Sequence, residues 1–443
     1  MGLDIVQFLE NKTILVTGAT GFLAKSTLSL SLVFVEKILR VQPNVKKMYV
    51  FVRATDKQTA TRRLHEELIQ KELFDVLRKE WPENFNSIVG RLDPIPGDVS
   101  CENLGVHDLD IRSEMWREVD IIVNSAATTK FDERYDIALA VNAFGAKHVA
   151  EFAARCANLK MLLHVSTAYV CGEMSGIIRE KLFSMGETPN GSRELDVNEE
   201  KLLVEGLMDE LREKRASQEE INIALKDLGL QRTLDSIAVR YSRGRLKYFL
   251  GNPNTILDTL PADMVVNAMI VAIAVHADRP NSNMVYQVGS SMKHPMTCSH
   301  FRDIGWSHFK DNPWITESGK PVKVRKLRFI GSKASFNKHL RRYTLLSKVL
   351  KIASSMFGGR FQSLRADLDK KVNATVRLAE LYEPYVFFKG IFDDTNTDAL
   401  RATTCDNGVN LESVFYFDPR CIDWEDYFKR IHLPGVVNTF KSK

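Results

Sequence analysis

A chain of 443 residues, 44% hydrophobic and 26% charged, carries ample material for a packed core and is too apolar for a disordered chain. A net charge of +5 at pH 7 is too mild to suggest a nucleic-acid binder, and no apolar run approaches the length of a membrane span. Six cysteines (Cys101, Cys156, Cys171, Cys298, Cys405, Cys421) are scattered with no CxxC pair and no zinc spacing, which points to free thiols in a reducing compartment and to no metal.

The opening, MGLDIVQFLENK, carries acids early and lacks the apolar h-region of a signal peptide. Residues 12–17, KTILVT, are short, apolar and β-branched, the pattern of a buried parallel strand. Gly18-Ala19-Thr20-Gly21-Phe22-Leu23-Ala24 follows. Its first glycine is expected to end the strand tightly, and its second to let a pyrophosphate approach the backbone. The small Ala24 lets the next helix pack on the sheet. The helical run VFVEKILRV supplies the context that a lone glycine pattern lacks.

A second strand, residues 47–52, ends in Arg53. An acid at this place suits the ribose of NAD, whereas an arginine favours the 2′-phosphate of NADP. A third short strand around Ile95 ends at Gly97-Asp98-Val99. A fourth, Asp120 to Val123, leads into Asn124-Ser125-Ala126-Ala127, small residues suited to a cofactor lying across the sheet edge, and the helix beyond contains Asn142. A fifth, residues 161–167, ends in Ser166-Thr167. Strands alternating with helices predict a doubly wound sheet.

These residues carry a resemblance. GATGFLA, FDERYDIALAVN, VSTAYVCGE, LPADMVVNAM and YVFFKGIFDDTNT together resemble the plant alcohol-forming fatty acyl-CoA reductases, extended short-chain dehydrogenases with a C-terminal male-sterility-type domain. The resemblance implies an α/β fold: a doubly wound, mostly parallel Rossmann sheet with a smaller, mostly helical C-terminal domain. It implies reduction of long-chain fatty acyl-CoA to a primary alcohol with two NADPH. It puts Gly18, Thr20, Gly21, Phe22 and Leu23 at the phosphates and Arg53 at the 2′-phosphate. Asp98 and Val99 fall near adenine, Asn124 and Ala126 near the ribose and nicotinamide. Thr167 matches the catalytic hydroxyl, with Ser166 beside it.

The chain departs from that pattern twice. Ser26 to Leu32, STLSLSL, is a seven-residue insert between GFLAK and VFVEKILRV; it alternates with a strand period and is close to two helical turns long. Near Arg232, several dozen residues are absent, and with them the Tyr-x-x-x-Lys pair. No tyrosine occurs between Tyr169 and Tyr241. The literal match Tyr385-Val386-Phe387-Phe388-Lys389 reads as a half-buried strand, which cannot set both side chains on one face as a helix does. Tyr241-Ser242-Arg243-Gly244-Arg245 offers arginine for lysine and a helix-weakening glycine. The loss leaves a second reading: an impaired or inactive paralogue or splice product that binds NADP(H) or acyl-CoA without turnover.

Residues 194–225 read as a charged, solvated helical excursion, and His164 as a core strand residue. Leu257 to Val266 is expected to cap a helix with Asp263 near its N-terminus, and Val285 to Gly289 to form a further strand. From Ser318 to Ala366 there are 13 Lys or Arg and no acid. Within it, 336–357 reads as an amphipathic helix with Leu340, Tyr343, Leu346 and Leu350 on one side and Lys338, Arg341, Arg342 and Lys348 on others. A peripheral membrane contact through 320–357, capture of CoA phosphates and a solvated basic face all fit it. The expected division is 1–290 reductase domain, 291–345 basic connector and 346–443 C-terminal domain. The expected place is the cytoplasm or the cytoplasmic face of the endoplasmic reticulum.

Overall fold

Five short segments become one parallel sheet: β1 (Thr13–Thr20), β2 (Lys47–Val52), β3 (Leu92–Pro96), β4 (Ile121–Asn124) and β5 (Met161–His164), in the order β3-β2-β1-β4-β5. The structure, a computed structural model, describes residues 4–20, 30–129, 133–172, 174–184, 186–187, 196–229, 248–277, 279, 283–316, 318–356, 361–405 and 414–441. Strand geometry turns successive side chains to opposite faces, and the core divides accordingly. Ile14, Val16, Ile121 and Val123 pack on one face with the helices Leu30–Val41 and Ala262–His276. Leu15, Tyr49 and Ile122 pack on the other with Met115, Val149 and Phe152, from the helices Leu109–Glu118 and Gly145–Ala153. Both faces are covered at the centre of the sheet, so β1, β2 and β4 read as unbroken apolar runs rather than alternating ones.

The order runs outward from β1 in both directions, and the reversal between β1 and β4 opens the usual ligand crevice of such a sheet at its C-terminal edge. Several boundaries differ from expectation. The glycine does not stop β1 at Thr17; the strand resumes after an irregularity, and Thr20 pairs with Val52. The last three residues of the Ser-Leu insert are helical, not extended. Leu30, Ser31 and Leu32 form the first turn of the helix Leu30–Val41, and Ser31 caps back on the Thr17 carbonyl at 3.1 Å. The rest of the insert, and Gly21, Phe22 and Leu23, lie outside the described residues.

The strand expected at Val285 to Gly289 does not form. The Gln287 N–H donates to the Glu180 carboxylate at 2.7 Å instead of to a neighbouring strand. The fifth strand ends at His164, short of the hydroxyls. A second small parallel pair, Ser175–Ile178 with Lys389–Phe392, joins the segment after the hydroxyls to the C-terminal part.

The helix Ala262–His276 is buried along most of its length, with Asp263 in its first turn, where the helix dipole favours an acid. Phe415, Phe417, Trp424 and Phe428 pack into the same core, so the C-terminal part shares the interior of the sheet domain. The charged excursion forms the helices Val197–Glu213 and Gln218–Gly229, with Val204 and Leu225 as inward anchors.

Candidate active site

The crevice is built where strands end in polar residues. Thr17, at the end of the apolar part of β1, is fully buried, and Asn124, ending β4, is 2% exposed. Thr17 pairs in register with Asn124, and Asn124 with His164, so three side chains stand in one row across β1, β4 and β5. The Thr17 hydroxyl donates to Asn124 Oδ1 at 2.6 Å and accepts the N–H groups of Ser125 and Ala126 at 3.2 Å each. Asn124 Nδ2 meets His164 Nδ1 at 3.0 Å. Buried polar groups are tolerated when paired in this way; an orphan would cost ~1–3 kcal/mol.

Gly18 follows at φ +80°, and a Cβ there would sit 2.7 Å from the Ser125 carbonyl oxygen and 2.8 Å from the Ala126 nitrogen. Glycine is required both by the left-handed backbone and by this close approach of β1 to the β4 edge. Ala126 therefore lines the edge with its backbone already committed to Thr17. Asn142 braces the next residues, its Oδ1 accepting from Thr128 N at 2.8 Å.

At the other end of the crevice, Arg53 Nε lies 3.1 Å from Asp98 Oδ2, with the arginine largely exposed. Asp98 Oδ1 accepts both the Ser100 N–H and hydroxyl, and the Asp98 N–H is tied to the Leu104 carbonyl. Val99 is buried, its carbonyl meeting His148 Nδ1 at 3.0 Å. The sequence candidates Arg53, Asp98 and Val99 thus come together at the ends of β2 and β3.

Ser166 and Thr167 follow β5 and are exposed. Thr167 opens a short 3-10 turn and its Oγ1 accepts the Tyr169 N–H at 3.3 Å. Because the oxygen accepts there, the hydroxyl proton points elsewhere and can be donated to a ligand. Tyr169, the nearest phenol in sequence, is no acid for this site. Its ring sits among Tyr385, Phe388 and Phe392 at 5.2–5.4 Å, and its oxygen accepts the Asp258 N–H at 3.4 Å. Burial and the nearby Asp258 charge push its pKa far above the ordinary phenol value.

Tyr385 is not on a strand. It lies in the last turn of the helix Gln362–Val386, whereas Lys389 begins the strand Lys389–Phe392. The two fall on different elements, so no helical Tyr-x-x-x-Lys pair is formed there. The Tyr241 stretch lies outside the described residues. His164 is not a core residue either. It is exposed at the end of β5, yet enough protein surrounds the ring to hold its pKa below the ordinary imidazole value. Sequence reading missed this row, although one signal was present: three apolar runs each end in a polar residue.

Comparison with known proteins adds the lineage. Residues 16–222 match one family model described as male sterility protein, and residues 342–440 match a second with the same description. A protein of Arabidopsis thaliana, probable fatty acyl-CoA reductase 4, is 42% identical over all of both chains. The alcohol-forming fatty acyl-CoA reductase of Simmondsia chinensis is 42% identical over 98% of each. The chain belongs to the fatty acyl-CoA reductase family.

This family member is shorter than its alignment. The comparison with the Arabidopsis thaliana protein runs over 500 positions and takes in the whole 443-residue chain, so 57 positions face no residue here. Among solved structures, a reductase domain of a non-ribosomal peptide synthetase from Mycobacterium tuberculosis covers 99% of the chain at TM-score 0.53 and 17% identity. The terminal R domain of the myxalamid pathway covers 92% at TM-score 0.50. Both likenesses concern the fold.

Proposed function

We propose that this chain reduces long-chain fatty acyl-CoA to the primary alcohol with NADPH. The observation that carries the proposal is full-length relatedness at 42% identity joined to a polar C-terminal sheet edge that ends in an exposed Ser166-Thr167. That relatedness favours the reductase over the binding-only reading. Purified protein given NADPH and stearoyl-CoA should consume NADPH and yield octadecanol. NADPH binding with no alcohol formed would overturn the proposal.

The residues fit a dinucleotide. Gly18 brings β1 close to the β4 edge, Ala126 lines that edge, and the Arg53–Asp98 pair closes the far end. Bound there, the nicotinamide would supply hydride. Val99 and Asp98 would flank the adenine, with Gly18 and Thr20 toward the phosphates. Asp98 meets Arg53 at Nε, and the guanidinium fork, with the arginine largely exposed, suits a 2′-phosphate. Charge-assisted hydrogen bonds of ~1.5–3 kcal/mol correspond to roughly 10–100-fold in affinity. Arg53→Ala should therefore raise the KM for NADPH by about that factor and leave the KM for NADH unchanged. An equal effect on both cofactors would count against the 2′-phosphate role.

The division into 1–290, 291–345 and 346–443 belongs to this reading, as does peripheral contact with a membrane surface. No helix among the described residues is long and apolar enough to cross a membrane. The helix Lys333–Met356 packs inward through Phe336, Leu340 and Ser347. Of the apolar side expected from sequence, Leu340 is buried while Tyr343 and Leu346 are exposed, and further apolar residues join them outside. Leu345, Val349, Ile352 and Met356, spaced four, three and four apart, are 53–73% exposed. Arg341, Arg342 and Lys348 border the stripe in a stretch without acids. Anionic liposomes should carry the protein down on centrifugation, and Leu345→Ser with Val349→Ser and Ile352→Ser should leave it in solution. Co-sedimentation unaffected by these changes would refute the contact.

A further inference from the structure

We propose that His164, through its Nε2–H, is a catalytic hydrogen-bond donor to the carbonyl oxygen of the acyl substrate. The proposal rests on the reductase reading above and adds a residue to it. It follows from the direction of each hydrogen bond in the Thr17–Asn124–His164 row.

The Ser125 and Ala126 N–H groups both donate to Thr17 Oγ1, so the Thr17 proton must be given to Asn124 Oδ1, at 2.6 Å. That fixes the orientation of the Asn124 amide, with its NH2 facing the histidine. An amide NH2 can only donate, so His164 Nδ1, 3.0 Å away, must accept. The ring proton is then on Nε2. One end of the network is sealed in the core, with Thr17 fully buried and Asn124 at 2% exposure, while the imidazole is exposed at the edge of the sheet. Two residues later come Ser166 and Thr167, the hydroxyls of the site.

The same network keeps the ring neutral. Protonating Nδ1 would set a cationic N–H against an amide NH2 that cannot turn, because Thr17 holds its oxygen. Partial burial acts in the same direction, lowering the imidazole pKa. A fixed neutral imidazole is a good hydrogen-bond donor to a developing oxyanion and a poor proton source. As the thioester or aldehyde carbonyl is reduced, its oxygen gains negative charge. His164 Nε2–H and the Thr167 hydroxyl would stabilise that charge; after the first hydride the oxyanion would collapse to the aldehyde with loss of CoA thiolate, and after the second a proton from water would complete the alkoxide as the alcohol. In a chain with no tyrosine between Tyr169 and Tyr241, this donor takes over part of the phenol's task.

The test compares His164→Phe, which keeps a ring and loses the donor, with His164→Gln, which keeps a side-chain N–H. With stearoyl-CoA and NADPH, His164→Phe should lose roughly 10²-fold in kcat, with KM and NADPH affinity little changed, and His164→Gln should lose under about tenfold. Nitrogen-15 NMR of histidine-labelled protein gives a readout apart from activity. The resonance missing from His164→Gln should show a neutral ring protonated at Nε2, and Asn124→Leu should abolish that preference. Wild-type kcat in His164→Phe, or a ring protonated at Nδ1, overturns this role alone. Absence of turnover in the wild type overturns the reductase reading, and this role with it.

Discussion

Thr167→Ala should lower kcat with stearoyl-CoA by roughly 10²–10³-fold while NADPH still binds with unchanged affinity. The expectation follows from the local geometry. Thr167 begins the 3-10 turn after β5, and its oxygen is pinned by the Tyr169 N–H. The hydroxyl proton is thereby directed away from the backbone, where an acyl carbonyl can take it. Alanine removes that donor. It also removes the cap of a four-residue turn, a cost of ~1 kcal/mol that a stability measurement would report separately. Thr167→Ser keeps both the cap and the donor and should recover most of the rate. A Thr167→Ala variant with unchanged kcat would show that the hydroxyl serves the turn alone.

The larger effect is expected in the opposite direction. Inserting between Arg232 and Thr233 a helix-and-strand segment with the Tyr-x-x-x-Lys that the family resemblance implies there should raise kcat by ~10²–10⁴-fold. A phenol with a neighbouring lysine is a proton source near working pH, whereas an unperturbed tyrosine has a pKa near 10. No described residue of this chain supplies that combination. Tyr169 is clamped among rings with its pKa pushed up, and Tyr385 and Lys389 are divided between a helix and a strand. The 57 aligned positions without a counterpart are enough for a helix and a strand. The graft should also add a strand to the five-stranded sheet, seen as a gain in strand content by circular dichroism. A graft that folds and yields no increase in rate would show that the missing pair is not what limits this chain.

The sheet was legible in the sequence because both of its faces are covered. Strands buried on both sides are continuous apolar runs, and β1, β2 and β4 could be placed from their runs, whereas β3, LDPIP, was placed only by Ile95 and the turn residues after it. Gly18 was legible for its position and not for its cause, since the close approach to Ser125 and Ala126 depends on a strand a hundred residues away. Non-local pairing also defeated Val285 to Gly289, a run with strand propensity and no ladder to join. Tyr385 shows the reverse: an alternating run was captured by the end of a long helix, because tertiary packing outweighs a short pattern. The basic helix was recognised, and Tyr343 and Leu346 of its expected apolar side are exposed, but the stripe Leu345, Val349, Ile352 and Met356 was not read. Both sides of it are apolar, and only packing through Phe336 and Leu340 shows which stripe is left outside. Near the candidate site, Arg53, Asp98 and Val99 were read at strand ends, and the structure brings Arg53 and Asp98 into an ion pair. The row that fixes His164 was not read, because it requires knowing that β1, β4 and β5 lie side by side in register.

The most direct measurement follows the label. Purified protein would be incubated with stearoyl-CoA and NADPH deuterated at the transferable C4 position, and the products analysed by mass spectrometry. The expected result is octadecanol carrying two deuteriums at C1, one from each reduction, with two NADPH consumed per alcohol. Protein that binds NADPH and acyl-CoA and yields neither labelled aldehyde nor labelled alcohol would contradict the assignment of this chain as a working fatty acyl-CoA reductase.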